Sequence, residues 1–129
     1  MIVDSSAIIA ILRGEKEARA CALAMEQAET LRISAANFLE AAIVIDGSRD
    51  PIASRRFDDL VKEAGLIIEV VTESHARIAR EAYRDFGKGS GHPARLNFGD
   101  CFSYALAKTC GEPLLFVGDD FVHTDIAVA

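Results

Sequence analysis

The clearest chemical signal in this 129-residue chain is a set of acidic residues that follow apolar segments. Residues 114–126 read LLFVGDDFVHTDI, in which four apolar residues and a glycine lead directly into Asp119 and Asp120. Asp4 follows the apolar start of the chain in the same way. Ligands of open parallel sheets bind beyond the carboxyl ends of the strands. Acids from both ends of the chain are therefore expected at one edge of a sheet.

Glu40 lies within AANFLEAAIVIDG, a segment so apolar that we expect most of the circumference of its helix to be buried. A buried carboxylate requires a partner. No Lys or Arg lies one helical turn away. The partner is therefore expected from elsewhere in the fold, as a basic side chain, another acid that shares a proton, or a metal ion.

Asp100 lies in the first turn of a helix predicted to begin after Asn97, where a negative charge interacts favourably with the helix dipole. The apolar face of this helix is predicted to consist of Phe98, Phe102, Ala105 and Leu106. Asp100 points away from that face and is free to line a site. Ordinary structural roles remain open for each acid: a helix cap for Asp4, a buried ion pair for Glu40, and a dipole interaction for Asp100.

One hypothesis explains all four acidic positions together. It places Asp4, Glu40, Asp100 and one acid of the last motif in a single site. Carboxylates a few ångströms apart raise one another's pKa unless a cation neutralises them. Magnesium prefers oxygen ligands and commonly uses one or two carboxylates. The lack of His and Cys in the set favours Mg²⁺ or Mn²⁺ over zinc. Such sites carry out phosphoryl transfer.

Four segments resemble, in order, the acidic motifs of the PIN-domain ribonucleases, in particular the VapC toxins of bacterial toxin–antitoxin pairs. They are MIVDSSAIIAIL, AANFLEAAIV, LNFGDCFSYALAK and LLFVGDDFVHTDI, and the likeness covers nearly the whole chain. It implies that Asp4, Glu40, Asp100 and Asp120 form a catalytic acidic cluster, with Asp4 and Asp100 as the direct ligands of Mg²⁺, for which Mn²⁺ can substitute. Ser6 matches the small hydroxyl residue that hydrogen-bonds within the site.

The last motif departs from the family pattern, because Gly-Asp-Asp-Phe replaces the common Gly-Asn-Asp-Phe. Asp120 matches the usual acid and is the preferred fourth member of the cluster. Asp119 replaces an amide and adds a charge that solvation alone can explain. Thr124 and Asp125 match the Thr-Asp-Ile ending of the family, for which a structural turn is the simpler explanation.

Strand and helix patterns alternate along the chain, which predicts a single domain over residues 1–129. Strands are predicted at MIVD, LRIS, LIIEVV and LLFV, and helices at about residues 7–14, 15–29, 35–47, 50–64, 73–86 and 98–110. Ser34, Thr72 and Asn97 are predicted helix caps. Apolar strands alternating with helices predict a three-layer α/β/α sandwich with a mainly parallel sheet, the arrangement of a PIN-like domain.

The composition of the chain indicates which kinds of partner and cellular location to expect. Acidic residues outnumber basic ones 20 to 14, so nucleic-acid binding would need a local basic surface or metal ions. No segment has the length of a membrane span and no secretory signal is evident, so we expect a soluble, cytoplasmic protein. The three cysteines form no CxxC pair and are expected to be unreactive thiols.

Lys88, His92 and Arg95 lie in GKGSGHPARLN, the segment richest in glycine, and are candidates to contact an RNA backbone. A solvated connection is the ordinary alternative. Arg77, Arg80 and Arg84 form a basic stripe, but the intervening acids favour a solvated face.

The resemblance also implies a biological setting. It predicts an endoribonuclease toxin that cuts structured RNA, such as transfer RNA or a ribosomal RNA loop, pairs with a VapB-type antitoxin, and forms a homodimer through the apolar early helices. Hydrolysis by water would leave 5′-phosphate ends. The alternatives are a PIN-fold protein that binds RNA or antitoxin without cutting, and a metal-dependent DNA nuclease. Ser6 stands where a phosphatase of the haloacid dehalogenase type needs a second acid, which disfavours that class.

Overall fold

The computed structural model describes all 129 residues and is built around a four-stranded sheet. The strands are β1 (Ile2–Val3), β2 (Arg32–Ser34), β3 (Ile67–Glu69) and β4 (Leu114–Leu115). The helices are α1 (Ser5–Arg13), α2 (Ala18–Gln27), α3 (Ala35–Asp46), α4 (Pro51–Glu63), α5 (Glu73–Phe86) and α6 (Phe98–Cys110). A 3₁₀ turn follows at Phe121–His123. The strand order is β3-β2-β1-β4, and every neighbouring pair is parallel.

Helices cover both faces of the sheet, which confirms the predicted three-layer α/β/α sandwich. Successive strand residues point to opposite faces. Ile2 and Leu114 accordingly join a core with α5 and α6, whereas Val3 and Leu115 join a second core with the first four helices. The carboxyl ends of β1 and β4 therefore meet at one edge of the sheet.

Capping residues position most of the helix starts as predicted. Asn97 accepts a hydrogen bond from the Asp100 amide at the start of α6, and Thr72 accepts one from the His75 amide at the start of α5. Both helices have the predicted bounds. Gly111 ends α6 in the left-handed region at φ 65°, which favours glycine.

Several details differ from the prediction. Helix α1 begins at Ser5, two residues earlier than predicted, because Asp4 caps it. Strand β3 lies at the edge of the sheet, so Ile67 and Ile68 are partly exposed instead of covered on both faces. Tyr83 is 46% exposed, although it follows the i, i+3, i+4 apolar repeat of α5. None of the helices combines the length and apolar character that crossing a bilayer requires.

Candidate active site

Asp4 lies at the point where β1 ends and α1 begins. Its Oδ2 accepts hydrogen bonds from the Ser6 amide at 3.0 Å and from the Ser6 hydroxyl at 2.6 Å. Its Oδ1 accepts one from the hydroxyl of Ser103 in α6. Burial raises the pKa of Asp4, the Ser103 and Ser6 hydrogen bonds lower it, and the nearby charge of Glu40 raises it. Asp4 is thus both a helix cap and a member of a buried acidic site.

Ser6 joins the first strand to the last. Its hydroxyl donates to Asp4 and accepts a hydrogen bond from the Val117 amide at 3.0 Å. Val117 belongs to the segment that leads from β4 into the Gly-Asp-Asp sequence. This hydrogen bond therefore holds the acidic end of the chain beside Asp4.

Glu40 reaches the site from α3. Its Oε1 accepts hydrogen bonds from the Ser5 hydroxyl and, at 3.4 Å, from the Asn37 side-chain amide. It forms no ion pair, so its partners are hydroxyl and amide groups instead of the basic side chain or shared proton that we considered. The side-chain amide of Asn37 also donates to the Gly99 carbonyl at 2.9 Å, which joins α3 to the start of α6.

The prediction that the helix of Glu40 is mostly buried is wrong. Helix α3 is not buried around most of its circumference, since Leu39 is 57% and Ile43 is 62% exposed. Only one side of the helix packs against the sheet and the neighbouring helices, with Asn37, Ala41 and Ile45 as its buried residues. An apolar strip of α3 therefore faces the solvent.

Asp100 completes a capping box with Asn97, whose backbone amide donates to Asp100 Oδ2 at 3.0 Å. The pKa of Asp100 is raised from 3.8 to about 8, chiefly by burial, although the hydrogen bond from the Asn97 amide lowers it. The charges of Asp4 and Asp120 contribute to this raised value, which places the carboxylate of Asp120 close to that of Asp100. Asp4, Glu40, Asp100 and Asp120 are called the acidic cluster below.

Asp119 does not join the acidic cluster. It is exposed and takes part in no hydrogen bond or ion pair. Thr124 also lies outside the acidic cluster, because its hydroxyl donates to the Phe121 carbonyl at 2.7 Å and closes the last turn. Asp125 accepts hydrogen bonds from Tyr104 and Lys108, which joins the end of the chain to α6.

The glycine-rich segment is folded back on itself between α5 and α6. Lys88 and Arg95 are exposed, and their side chains form no ion pair. His92 packs edge-on against Phe86, with ring centres 5.0 Å apart, and its Nδ1 accepts a hydrogen bond from the Ala94 amide. His92 therefore has a structural role in this segment, and Lys88 and Arg95 remain free to contact a ligand.

Sequence reasoning missed four residues that orient the acids: Ser5, Asn37, Gly99 and Ser103. Three of them act across the fold, as the hydrogen bond between Ser103 and Asp4 illustrates by joining residues 99 positions apart, whereas Asn37 contacts Glu40 within α3. No local pattern marks such pairs. Gly99 is missed for a different reason, because a helical glycine becomes informative only once the carboxyl group of Glu40 is known to lie against its backbone.

A divalent cation is the ligand that the chemistry of the acidic cluster suits. All four donors are carboxylates, none forms an ion pair, and two have a raised pKa. No three acidic, His or Cys side chains are arranged to enclose a metal ion. The donor set therefore suits an ion that uses two carboxylates and keeps several waters, as Mg²⁺ commonly does.

Comparisons with known proteins agree with this description. The family model described as the PIN domain matches residues 1–127. Ribonuclease VapC28 of Mycobacterium tuberculosis is 60% identical over 126 residues, which cover 98% of this chain and 95% of that protein. The chain therefore belongs to the PIN-domain family and, within it, to the VapC ribonucleases.

Solved structures share the fold at lower identity. The Mycobacterium tuberculosis toxin VapC20, titled a sarcin-ricin loop cleaving toxin, superposes with a TM-score of 0.76 at 17% identity, over 99% of this chain and 97% of that one. A toxin-antitoxin complex from Klebsiella pneumoniae superposes with a TM-score of 0.73 at 17% identity, over 99% and 95% of the two chains. These likenesses establish the fold.

Proposed function

We propose that this protein is a metal-dependent endoribonuclease and the toxin of a toxin–antitoxin pair. One observation carries the proposal: acids from β1, α3, α6 and the segment after β4 come together without any basic partner. Such a group is costly to bury unless a cation neutralises it. The 60% identity to a protein named a ribonuclease supports RNA as the substrate.

Asp4 and Asp100 would hold the cation. Both are buried, both have a raised pKa, and each is fixed by hydrogen bonds to a helix start. A bound Mg²⁺ or Mn²⁺ would supply Lewis acidity, which makes water more acidic and stabilises negative charge on a phosphate. Asp120, whose carboxylate lies beside that of Asp100, would orient the water or the phosphate.

Glu40 is suited to accept the proton of the attacking water. Ser5 and Asn37 occupy its Oε1 and fix the carboxylate, while Oε2 accepts no hydrogen bond. A general base needs such a positioned and accessible oxygen within reach of the proton. Ser6 and Ser103 hold both oxygens of Asp4 and so limit its rotation. Attack by water would break the bond to the 3′ oxygen and leave 5′-phosphate and 3′-hydroxyl ends.

Structured RNA, either transfer RNA or a ribosomal RNA loop, is the proposed substrate, and its cleavage would inhibit translation in the cytoplasm. The relative titled a sarcin-ricin loop cleaving toxin supports a ribosomal target. A VapB-type antitoxin is the proposed inhibitory partner, and a basic residue of that antitoxin would complement the acidic cluster. The solved toxin-antitoxin complex of the same fold supports such a partner.

A homodimer is the proposed assembly, and the exposed apolar strip of α3 supports it. Leu39 and Ile43 lie one turn apart on this strip, and both are more than half exposed. Large exposed apolar patches often mark interaction surfaces. If the strip forms the dimer interface, a Leu39→Lys and Ile43→Lys double variant will be monomeric by light scattering.

The test of the activity is cleavage of a mixture of transfer and ribosomal RNA by purified protein, with Mg²⁺, Mn²⁺ or EDTA. Asp4→Asn and Asp100→Asn are compared with Asp119→Asn, a matched control that removes an exposed acid beside the acidic cluster. We expect discrete fragments with 5′-phosphate ends, formed only with metal, lost in the first two variants and retained in the third.

Other outcomes would favour the alternatives. Folded protein that binds RNA or antitoxin but cuts nothing would favour a binding protein, and cleavage of DNA alone would favour a DNA nuclease. Cleavage that persists in EDTA would contradict the role of the acidic cluster.

A further inference from the structure

The 3₁₀ turn at Phe121–His123 places His123 on the same side of the chain as Asp120. The backbone of Asp120, which precedes the turn, is also helical, with φ −63° and ψ −47°. Side chains three residues apart eclipse one another in a 3₁₀ helix, and their Cα atoms are roughly 6 Å apart along its axis. The carboxylate of Asp120 lies beside that of Asp100. His123 therefore stands next to the acidic cluster, one turn away from a member of it.

Neighbouring contacts fix the direction in which this turn faces. Phe121 is 2% exposed and packs against Phe116, with ring centres 5.0 Å apart. The hydroxyl and the backbone amide of Thr124 both donate to the Phe121 carbonyl and close the turn. Because Phe121 points into the core, Val122 and His123 are left exposed to solvent. The turn thus presents the imidazole on a fixed backbone, which limits the entropy lost when it binds a ligand.

His123 is the one histidine of three that has no structural role. His75 and His92 each accept a hydrogen bond from a backbone amide at Nδ1. His123 forms no side-chain hydrogen bond and no ion pair. It is also the only basic side chain in residues 114–129. Both of its ring nitrogens are therefore free to contact a ligand.

The negative charge of the acidic cluster opposes the approach of RNA. None of its four acids has a basic partner. A bound divalent ion neutralises only part of their charge, and the phosphodiester adds a further negative charge. A hydrogen-bond donor beside the acids would offset this repulsion, and an imidazole N–H can donate to a phosphate oxygen. The position of His123 suits such a donor.

We propose that His123 contacts the substrate and donates a hydrogen bond to the RNA phosphate bound at the acidic cluster. The contact orients the phosphodiester for attack by the water that Glu40 deprotonates. His123 itself holds no metal ion and transfers no proton. This inference rests on the proposed ribonuclease function and deepens it, because it names a residue that binds the substrate.

The test compares kcat/KM for RNA cleavage by His123→Ala, His123→Gln and Val122→Ala, with an oligonucleotide that spans the site cut in the activity test. His123→Ala should lower kcat/KM by roughly 10-fold or more, as the loss of a hydrogen bond to a charged group does. His123→Gln keeps an N–H donor and should recover most of this loss. Val122→Ala is the matched control, because it shortens a half-exposed side chain on another side of the same turn and should leave cleavage unchanged.

Two further measurements exclude other roles. The Mn²⁺ affinity and the thermal unfolding of His123→Ala should equal those of the wild type, since the imidazole has no partner within the fold. Weaker Mn²⁺ binding would make His123 a metal ligand, and earlier unfolding would make its role structural. A loss of cleavage that glutamine does not recover would assign it proton transfer. Each of these results overturns the proposal.

The same data separate this inference from the proposed function. If wild-type protein cuts RNA and His123→Ala keeps its kcat/KM, the assignment of His123 is wrong and the ribonuclease function stands. If folded wild-type protein cuts no RNA, both fail.

Discussion

Replacing Gly99 by alanine should displace Glu40 without unfolding the protein. A Cβ atom on Gly99 would overlap Oε2 of Glu40 and lie 2.8 Å from its carboxyl carbon, whereas ordinary contacts begin at 3.4 Å. The carboxyl group must therefore retreat by roughly 1 Å, a misplacement that can cost around 100-fold in rate. The backbone of Gly99 is not in the left-handed region, so alanine fits the helix. Alanine is also a better helix former than glycine.

The assay is metal-dependent RNA cleavage by Gly99→Ala, Glu40→Ala and the double variant, with thermal unfolding measured in parallel. We expect each single variant to lower kcat by about 100-fold. The double variant should be no slower than Glu40→Ala, because the displaced group is already absent. It should be more stable than Glu40→Ala, because alanine favours the helix and no longer meets a carboxyl group. Two results would contradict this reasoning: full activity in Gly99→Ala, or a double variant whose loss of activity is the product of the two single losses. Either would show that the contact with Gly99 does not position the carboxyl group of Glu40.

Three further predictions concern the acids. Ser103→Ala removes a donor to Asp4 and should weaken Mn²⁺ binding by roughly 10-fold or more in calorimetric titration; unchanged affinity would show that Ser103 does not orient Asp4. Between pH 3.8 and about 8, Asp100 carries a proton in the native state of the metal-free protein, whereas it is ionised in the unfolded state. The protein's free energy of unfolding, measured in EDTA, should therefore fall as pH rises through this range, and Asp100→Asn should flatten the profile. Asp125→Asn removes the charge of a half-exposed ion pair with Lys108 and keeps an oxygen that can accept from Tyr104. Urea unfolding should therefore show a loss of only about 0.5 kcal/mol and RNA cleavage should be unchanged; a loss of cleavage would contradict a purely structural Thr-Asp turn.

The sequence predicts the layers and the helix bounds well because both depend on local patterns. Helices α5 and α6 begin after Thr72 and Asn97 in the structure as they do in the prediction, since a cap and an apolar repeat lie within a few residues of each other. The meeting of Asp4 with the last motif is also predictable, because parallel strands bring their carboxyl ends to one edge. Exposure is less predictable: Phe98 and Ile43 lie on apolar faces that no other part of this chain covers.

The hydrogen bonds that orient the acids depend on tertiary contacts, which explains why sequence patterns miss them. Ser5 is typical of a helix start, yet its hydroxyl donates to Glu40 from another helix. Asn37 is the only polar residue that is fully buried in α3, a signal for a tertiary partner, but nothing local identifies that partner as the Gly99 carbonyl.

Structural and catalytic roles of the acids need not exclude one another. Asp4 caps α1 through the Ser6 amide and faces Glu40 and Asp100 with the same carboxylate. Asp100 likewise caps α6 with Asn97 and approaches Asp120. Capping fixes each carboxylate at a helix start, where backbone amides offset part of the cost of burial. Two rigid helix starts therefore position the two proposed metal ligands, and the loss of either acid should remove a cap as well as a ligand. Replacement by asparagine, which also caps helices, separates the two roles better than replacement by alanine.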